Sequence, residues 1–477
     1  MQFSHMIRPD EILSSEKNWN AEVGLPQSDF RKLRKGDVFF CAEGSLPSGF
    51  SYAKEEIAAI VTSAGGAERI GTASVPVIEV ANVRKSYALA WSRHENDPAK
   101  DLRLIAITGT NGKTSVASFL YTLLRAAGRS VGLIGTVAYI AGENLLPASY
   151  TTPPPEVLYP LLRNMKERCI DTVVMEASSH AIAQHRLYGL QFETAVFTNL
   201  SRDHLDYHKT WEAYRDTKAS LFAHAKNAVI CLDDPQARYM GFAAAGDVYY
   251  YGKDPEADFQ IHPPIYAEDG IRYSLTFGGA SLPVELHAVG NFHAENSAAA
   301  IACAYLEGLD PPDIVKGVRL LQPPKGRLEK LNLPTDFSVY IDYAHSPEAL
   351  ERALLSLRPF TGKLTVLFGA GGERDRGKRP EMGAIAEKIA DLIILTDDNP
   401  RSEDPEAIIS DIEKGMRGGK HLRIRGREKA ISHALGQAEK GEILLFAGKG
   451  HENYTIDQNG KHSFSEKEII EKILGLT

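Results

Sequence analysis

The stretch Leu102-Arg103-Leu104-Ile105-Ala106-Ile107-Thr108-Gly109-Thr110-Asn111-Gly112-Lys113-Thr114-Ser115 decides how the rest of the chain is read. Its first seven residues form a short, nearly continuous apolar run, the pattern of a strand covered on both faces in a parallel sheet. Glycines 109 and 112 break that run, and a helical pattern follows over 113–127 until Gly128, placed where a left-handed residue commonly ends a helix. Strand, glycine turn and helix N-terminus together make a cradle for an anion. Glycine lets backbone N–H groups crowd the ligand, and the helix end adds about half a positive charge. In the short form Gly-x-x-Gly-Lys-Thr, the residues Gly109, Thr110, Asn111, Gly112, Lys113, Thr114 and Ser115 are candidates to hold the phosphates of ATP. Lys113 would reach the β/γ oxygens, and the Thr114 hydroxyl would be available to Mg2+. The longer loop pattern would have glycine where Ile107 stands.

Outward from this unit, apolar runs at 171–175 and 195–198 each end in polar residues, as parallel strands do when their carboxyl ends carry a site. Strand-like pieces at 37–41, 57–62 and 75–80 predict a small N-terminal α/β domain that closes at Asn96-Asp97-Pro98. After Pro323-Pro324-Lys325-Gly326, runs at 338–341, 364–368, 392–396 and 443–447 alternate with helical stretches, the pattern of a doubly wound domain. The predicted division is 1–98, 99–326 and 327–477, an α/β chain with a central P-loop sheet and a Rossmann-like C-terminal domain. A length of 477 residues accommodates three such domains at about 150 residues each.

Composition narrows the partners. Lys+Arg 54 against Asp+Glu 62 gives a formal charge of −8, without the basic surplus that binds phosphate backbones unspecifically, so nucleic acid is not an expected partner. No apolar run approaches the roughly 20 residues needed to cross a bilayer, so no membrane is expected either. Cys41, Cys169, Cys231 and Cys303 form no Cys-x-x-Cys pair, and the first residues lack the apolar core of a secretion signal. These features predict a soluble protein of the reducing cytoplasm; small-molecule substrates and a monomer are the expectation for partners.

Further signals come in a fixed order. They are Thr151-Thr152-Pro153, Glu176-Ala177-Ser178-Ser179-His180, Phe197-Thr198-Asn199-Leu200, Asp203-His204-Leu205-Asp206 and 214–218. Then come Gly326-Arg327-Leu328-Glu329, Asp342-Tyr343-Ala344-His345-Ser346-Pro347, Gly371-Gly372-Glu373-Arg374-Asp375, Asp398-Asn399-Pro400-Arg401 and Gly448-Lys449-Gly450-His451-Glu452. With the phosphate loop, this ordered set resembles the Mur ligase family over about the last four-fifths of the chain. Within the family it is most similar to the branch that joins meso-diaminopimelate to UDP-N-acetylmuramoyl-L-alanyl-D-glutamate.

The resemblance implies ATP-dependent amide formation through an acyl phosphate, in peptidoglycan precursor synthesis. It implies catalytic roles for Lys113, Glu176, His204 and Lys218, with Thr114, Glu176, His204 and a carbamylated Lys218 as Mg2+ ligands. Asn296, Arg327, Asp342 and His345 match positions around the nucleotide. Thr151, Thr152, Ser178, Gln184 and Arg186 match positions that hold the acceptor. Arg374, Asp398, Asn399, Pro400, Arg401, Gly448 and Glu452 match positions that take the amino acid. There Arg401 offers a planar fork for a second carboxylate, while Glu452 and the Asn399 amide would meet the far ammonium.

The chain departs from the family pattern in three places. His293 replaces an asparagine and is a candidate to stack on adenine, Phe30 stands between Asp29 and Arg31 where serine is usual, and Ser48-Gly49-Phe50-Ser51-Tyr52 is a shortened stretch. The i, i+4 pair His204 and His208 could suggest zinc, but no third ligand is evident. Three alternatives accompany the main reading: a related ligase with another acceptor, a small-molecule kinase or nucleotide-driven switch using the same loop, and a binding protein with degenerate catalysis.

Overall fold

The buried apolar runs pair into sheets whose register sets the position of every loop that follows. The computed structural model describes residues 1–15, 21–42, 57–71, 73–419 and 421–476. Its central sheet has a parallel core in the order Asp247–Gly252, Ala225–Cys231, Phe192–Phe197, Arg103–Thr108, Thr172–Glu176, Val131–Ile134. Every residue of Arg103–Thr108 except Arg103 is buried. At about 1.5–3 kcal/mol for each fully buried aliphatic side chain, that strand belongs at the middle of the sheet. Chain connections leave it in opposite directions, and the crevice beyond the carboxyl ends of strands at such a switch point is where α/β sheets bind ligands. Register confirms the placing. Thr108 pairs with Phe197 on one side and Ile107 with Glu176 on the other, so the loops opening at Gly109, Thr198 and Ala177 surface at one level.

Antiparallel strands extend both edges, with the hairpin Gly270–Phe277 and Ala280–Leu286 on one and Ala138–Ala141 with Asn144–Pro147 on the other. Helix Lys113–Ala126 packs against helix Phe292–Leu306, whose buried Ala298, Ala299, Ala302 and neighbouring small residues allow close approach.

The N-terminal sheet runs Ile12–Ser15, Val77–Val80, Ala59–Ser63, Val38–Cys41, Pro26–Gln27, parallel except for its first strand. It shares one apolar cluster with the centre, in which Phe3, Met6 and Trp91 join Tyr159, Leu162 and Met165. The C-terminal sheet has order Glu329–Lys330, Ser338–Asp342, Ile443–Ala447, Leu364–Phe368, Leu392–Leu395, His421–Arg423. Its two faces carry separate clusters, one around Leu350 and Val366 and one around Ile431 and Leu444. The chain enters this body through Gly326 and Leu328, both at positive φ (68° and 47°). The Asp342 carboxylate secures that turn by accepting from the backbone N–H of Leu328 at 2.6 Å and of Ala344 at 2.7 Å. Among the described residues no helix is long and apolar enough to cross a membrane.

Candidate active site

At the phosphate loop, local backbone demands explain the glycines. Gly109 lies at φ 146°, and a Cβ there would fall 1.9 Å from Thr198 Oγ1; at Gly112, φ 87°, it would fall 2.5 Å from Asn296 Oδ1. Neighbouring strands then lash the loop. Thr110 N–H donates to Asn199 O at 2.8 Å, Asn111 N–H to Asn199 Oδ1 at 3.0 Å, and Thr198 Oγ1 to Asn111 O at 2.6 Å. Lys113 Nζ donates to Gly109 O and Thr110 O, both at 2.8 Å, so its charge hangs over the cradle. Lys218, buried on helix Trp211–Ala219, donates to the same Gly109 O at 2.8 Å. Burial holds the Lys218 amine well below its usual pKa, and the Lys113 charge pushes the same way.

Thr114 Oγ1 donates to Glu176 Oε2 at 3.0 Å, and the same carboxylate accepts from Thr136 N at 2.7 Å and Thr136 Oγ1 at 3.0 Å. Thr114, Thr136 and Glu176 therefore gather hard oxygen donors beside the cradle. Among the described residues no cluster of three His, Cys, Asp or Glu could cage a metal by itself. That donor set fits Mg2+, which keeps water and phosphate oxygens in its shell. Thr136 was not singled out from the sequence, because a lone threonine after a short strand gives no signal until the strand order puts it against Glu176.

The first cleft opens beside the loop. Asn111, Gly112, Thr114, Ser115, Asn296, Arg327 and Asp342 line it, with Phe292 and Arg352 as further walls. Arg327, on the C-terminal body, donates to Thr114 Oγ1 at 3.2 Å and so bridges two domains. One expectation needs correcting. His293 turns away from the cleft into the core, 5.7 Å from the Phe119 ring and fully buried, and the aromatic wall is Phe292 instead. His345 lines the second cleft, with Nδ1 2.9 Å from Tyr343 O. Asp342 reaches the first cleft while its carboxylate is engaged with the Leu328 and Ala344 amides; burial lifts its pKa to about 6.

The second cleft lies where the two bodies face each other. The central domain contributes His180, Asp203 and His204; the C-terminal domain contributes Arg374, Lys378, Asp398, Asn399, Arg401, Gly448 and Glu452. His204, at φ 55°, stands 3.4 Å from Asp203, and burial pushes its imidazole down to about 3, leaving a neutral ring. The His204 and His208 rings both pack against His180, with centroids 4.7 and 5.7 Å away, and among the described residues no third His, Cys, Asp or Glu joins them to hold a metal ion. Arg401 is held at φ 54° after Pro400 and donates to Gly372 O at 2.7 Å. The Asn399 amide oxygen is not free to meet an ammonium. Its Oδ1 accepts from Lys449 Nζ at 2.6 Å and Ile456 N at 2.9 Å, while Nδ2 donates to Glu452 Oε2 at 2.9 Å. Lys378, also missed from the sequence, bridges to His345 O at 2.7 Å and brings a further cation to the cleft.

A third cleft separates the N-terminal and central domains and is lined by Ser28, Phe40, Tyr87, Glu156, Gln184 and Arg186 among others. Arg186 donates to Thr152 O at 2.7 Å and to Gln184 Oε1 at 2.7 Å, and Thr152 Oγ1 lies 3.2 Å from Ser178 Oγ. Thr151 meets Thr136 at 3.1 Å, so the acceptor-matching residues run from this cleft to the Glu176 cluster. Asp29 caps its own turn and pairs with Arg31 at 2.8 Å. Residues 48–52 lie outside the described residues.

A phosphate loop that faces, across a charged cleft, a second α/β body bearing cations and carboxylates defines an ATP-dependent ligase. The chain belongs to the Mur ligase family: residues 107–304 match the Mur ligase middle domain and 326–450 the Mur ligase glutamate ligase domain. It is 37% identical, over 94% of each chain, to the UDP-N-acetylmuramoyl-L-alanyl-D-glutamate–2,6-diaminopimelate ligase of Geobacillus kaustophilus. It is 38% identical to the enzyme of the same name from Bacillus velezensis, over 93% of this chain and 92% of that one. A solved structure of a ligase of this name superposes with TM-score 0.69 at 32% identity, covering 100% of this chain and 99% of the other. The folylpolyglutamate synthase of Mycobacterium tuberculosis shares the fold at TM-score 0.62 and 20% identity, over 76% of this chain and 92% of that chain.

Proposed function

We propose that the protein joins meso-diaminopimelate to the D-glutamate carboxylate of UDP-N-acetylmuramoyl-L-alanyl-D-glutamate, converting ATP to ADP and phosphate. The acceptor carboxylate attacks the γ-phosphorus, and the bond to ADP breaks. The amine of diaminopimelate then attacks the acyl carbon, phosphate leaves, and an amide remains. What carries this reading is the Arg327 to Thr114 hydrogen bond, which brings the amino-acid body onto the phosphate loop.

Two anions must approach in the first step, so fixed positive charge at the cradle is the chief requirement. In this reading the loop amides, Lys113 and Arg327 hold the phosphates, and Phe292 and Asn296 face the base. Thr114, Thr136 and Glu176 would hold Mg2+, with His204 and a carbamylated Lys218 serving a second ion. Bound there, Mg2+ neutralises charge on the transferring phosphoryl group. A carbamate needs a neutral amine, and the lowered pKa of Lys218 favours that form. The Thr151, Thr152, Ser178 and Arg186 row orients the acceptor. Arg374 and Arg401 present guanidinium groups to the distant carboxylate of diaminopimelate, and Glu452 faces its ammonium. Lysine lacks that carboxylate and would leave the arginines unpaired, a larger penalty than one methylene imposes.

The test is phosphate release from ATP and Mg2+ with the UDP-muramoyl dipeptide, adding diaminopimelate, lysine or no amine. Full turnover only with diaminopimelate is expected. Turnover independent of the amine would point to a kinase, and equal rates with both amines would remove the role given to Arg401.

A further inference from the structure

Behind the second cleft, on the side of the Asp398-Asn399-Pro400-Arg401 turn that faces Arg427 and Phe464, lies the buried ammonium of Lys449. Its Nζ is 2.6 Å from Asn399 Oδ1 and 2.9 Å from Tyr454 O. Two carboxylates stand a little farther off, Glu452 Oε2 at 3.6 Å and Asp398 Oδ1 at 3.7 Å. Lys449 is not part of the cleft lining, but the groups around it are: Asp398, Asn399, Glu452 and Tyr454 all line that cleft.

The connection runs through one planar amide. Asn399 Oδ1 is pinned by two donors, Lys449 Nζ and Ile456 N–H, and a planar carboxamide held at its oxygen has its nitrogen direction set as well. That nitrogen donates to Glu452 Oε2 at 2.9 Å. A compact ammonium with three donors suits this place, because it also sits between two carboxylates that would otherwise repel. Burial opposes the charged form of Lys449, and Asp398 and Glu452 oppose that burial effect.

We propose that Lys449 is a positioning residue for amino-acid selectivity: by anchoring Asn399 it holds Glu452 at one orientation toward the far ammonium of a diamino acid, without touching that substrate. This rests on the assignment of the second cleft to the amine substrate.

The experiment compares the full-length chain and Lys449→Met in steady-state turnover with ATP, Mg2+ and the UDP-muramoyl dipeptide, using diaminopimelate or lysine as amine. In Lys449→Met the KM for diaminopimelate should rise roughly tenfold or more, with selectivity over lysine falling by a similar factor. The KM values for ATP and for the dipeptide should stay within about twofold. Because Lys449 acts through Glu452, adding Lys449→Met to Glu452→Gln should cost little further. Unchanged selectivity in Lys449→Met, or fully additive losses in the double variant, overturns the proposal while leaving the cleft assignment standing. A wild-type chain that uses both amines equally overturns the cleft assignment, and this proposal with it. If Lys449→Met does not fold, Asn399→Asp tests the same link, since it keeps an oxygen toward Lys449 and loses the donor to Glu452. Retained selectivity there overturns the proposal too.

Discussion

The ammonium groups of Lys113 and Lys218 converge on a single atom, the carbonyl oxygen of Gly109, each at 2.8 Å. They therefore lie within about twice that distance of each other, and two positive charges so placed would repel by at least about 3 kcal/mol at an effective dielectric of about 20. Lys113 opens helix Lys113–Ala126 and is the residue proposed to meet phosphate. Burial and the neighbouring Lys113 charge both hold the Lys218 amine well below its ordinary pKa, which favours its neutral form.

Lys218→Ala should lower turnover by roughly a hundredfold or more, the usual effect of removing one fixed charge-stabilising group, with the fold intact by circular dichroism. Acetate or formate should restore part of the rate, and wild-type activity should fall in buffer stripped of carbon dioxide. Full activity in Lys218→Ala would remove the carbamate from the mechanism.

Thr136→Val tests the oxygen cluster at Glu176. The isostere keeps the β-branched shape and deletes the hydroxyl that donates to Oε2 at 3.0 Å. The Mg2+ concentration for half-maximal turnover should rise about tenfold, a scale typical of groups that orient a metal ligand, while the KM for diaminopimelate is unmoved. An unaltered Mg2+ titration would show that Thr136 only packs.

Arg401→Lys addresses the fork. One ammonium cannot reproduce a bidentate grip on a carboxylate, so the KM for diaminopimelate should rise by about a hundredfold while the slow use of lysine changes little. Parallel losses with both amines would mean that Arg401 serves the turn instead, through its bond to Gly372 O.

Acid sensitivity has an identifiable source in His293. Burial depresses its pKa to about 3, weakly opposed by the Arg327 backbone, whereas the unfolded chain would titrate it near 6.5. A histidine with a depressed folded pKa contributes stability that is fully present above the unfolded value and is lost as pH falls toward the folded one. The loss is about 2 kcal/mol by pH 5. His293→Phe, placed between Phe119 and Phe292, should flatten that part of the stability curve in urea titrations from pH 7 to 5. An unchanged slope would place the acid response elsewhere.

The phosphate loop was legible from its letters because strand, glycine turn and helix start are consecutive in the chain, whereas the bonds from Thr198 and Asn199 that fasten it were not. The runs at 338–341, 364–368 and 443–447 were legible for the same reason: a strand buried on both faces is apolar throughout. The strand His421–Arg423 was not, since it lies at the sheet edge and is exposed or half-buried along its length. The hairpin Gly270–Phe277 and Ala280–Leu286 was missed although its burial alternates, because its solvent face interrupts every apolar run.

From sequence alone came the chemistry: which residues can hold phosphate, oppose a carboxylate or grip a second one, and in what order they appear. The tertiary structure alone decided which cleft each of them lines. It placed His345 at the second cleft and His293 in the core, occupied the Asn399 amide oxygen with Lys449, and set Thr136 against Glu176. The physical reason is distance along the chain. Thr114 and Arg327 are more than two hundred residues apart, and their meeting depends on strand order, register and domain packing, which no local pattern encodes.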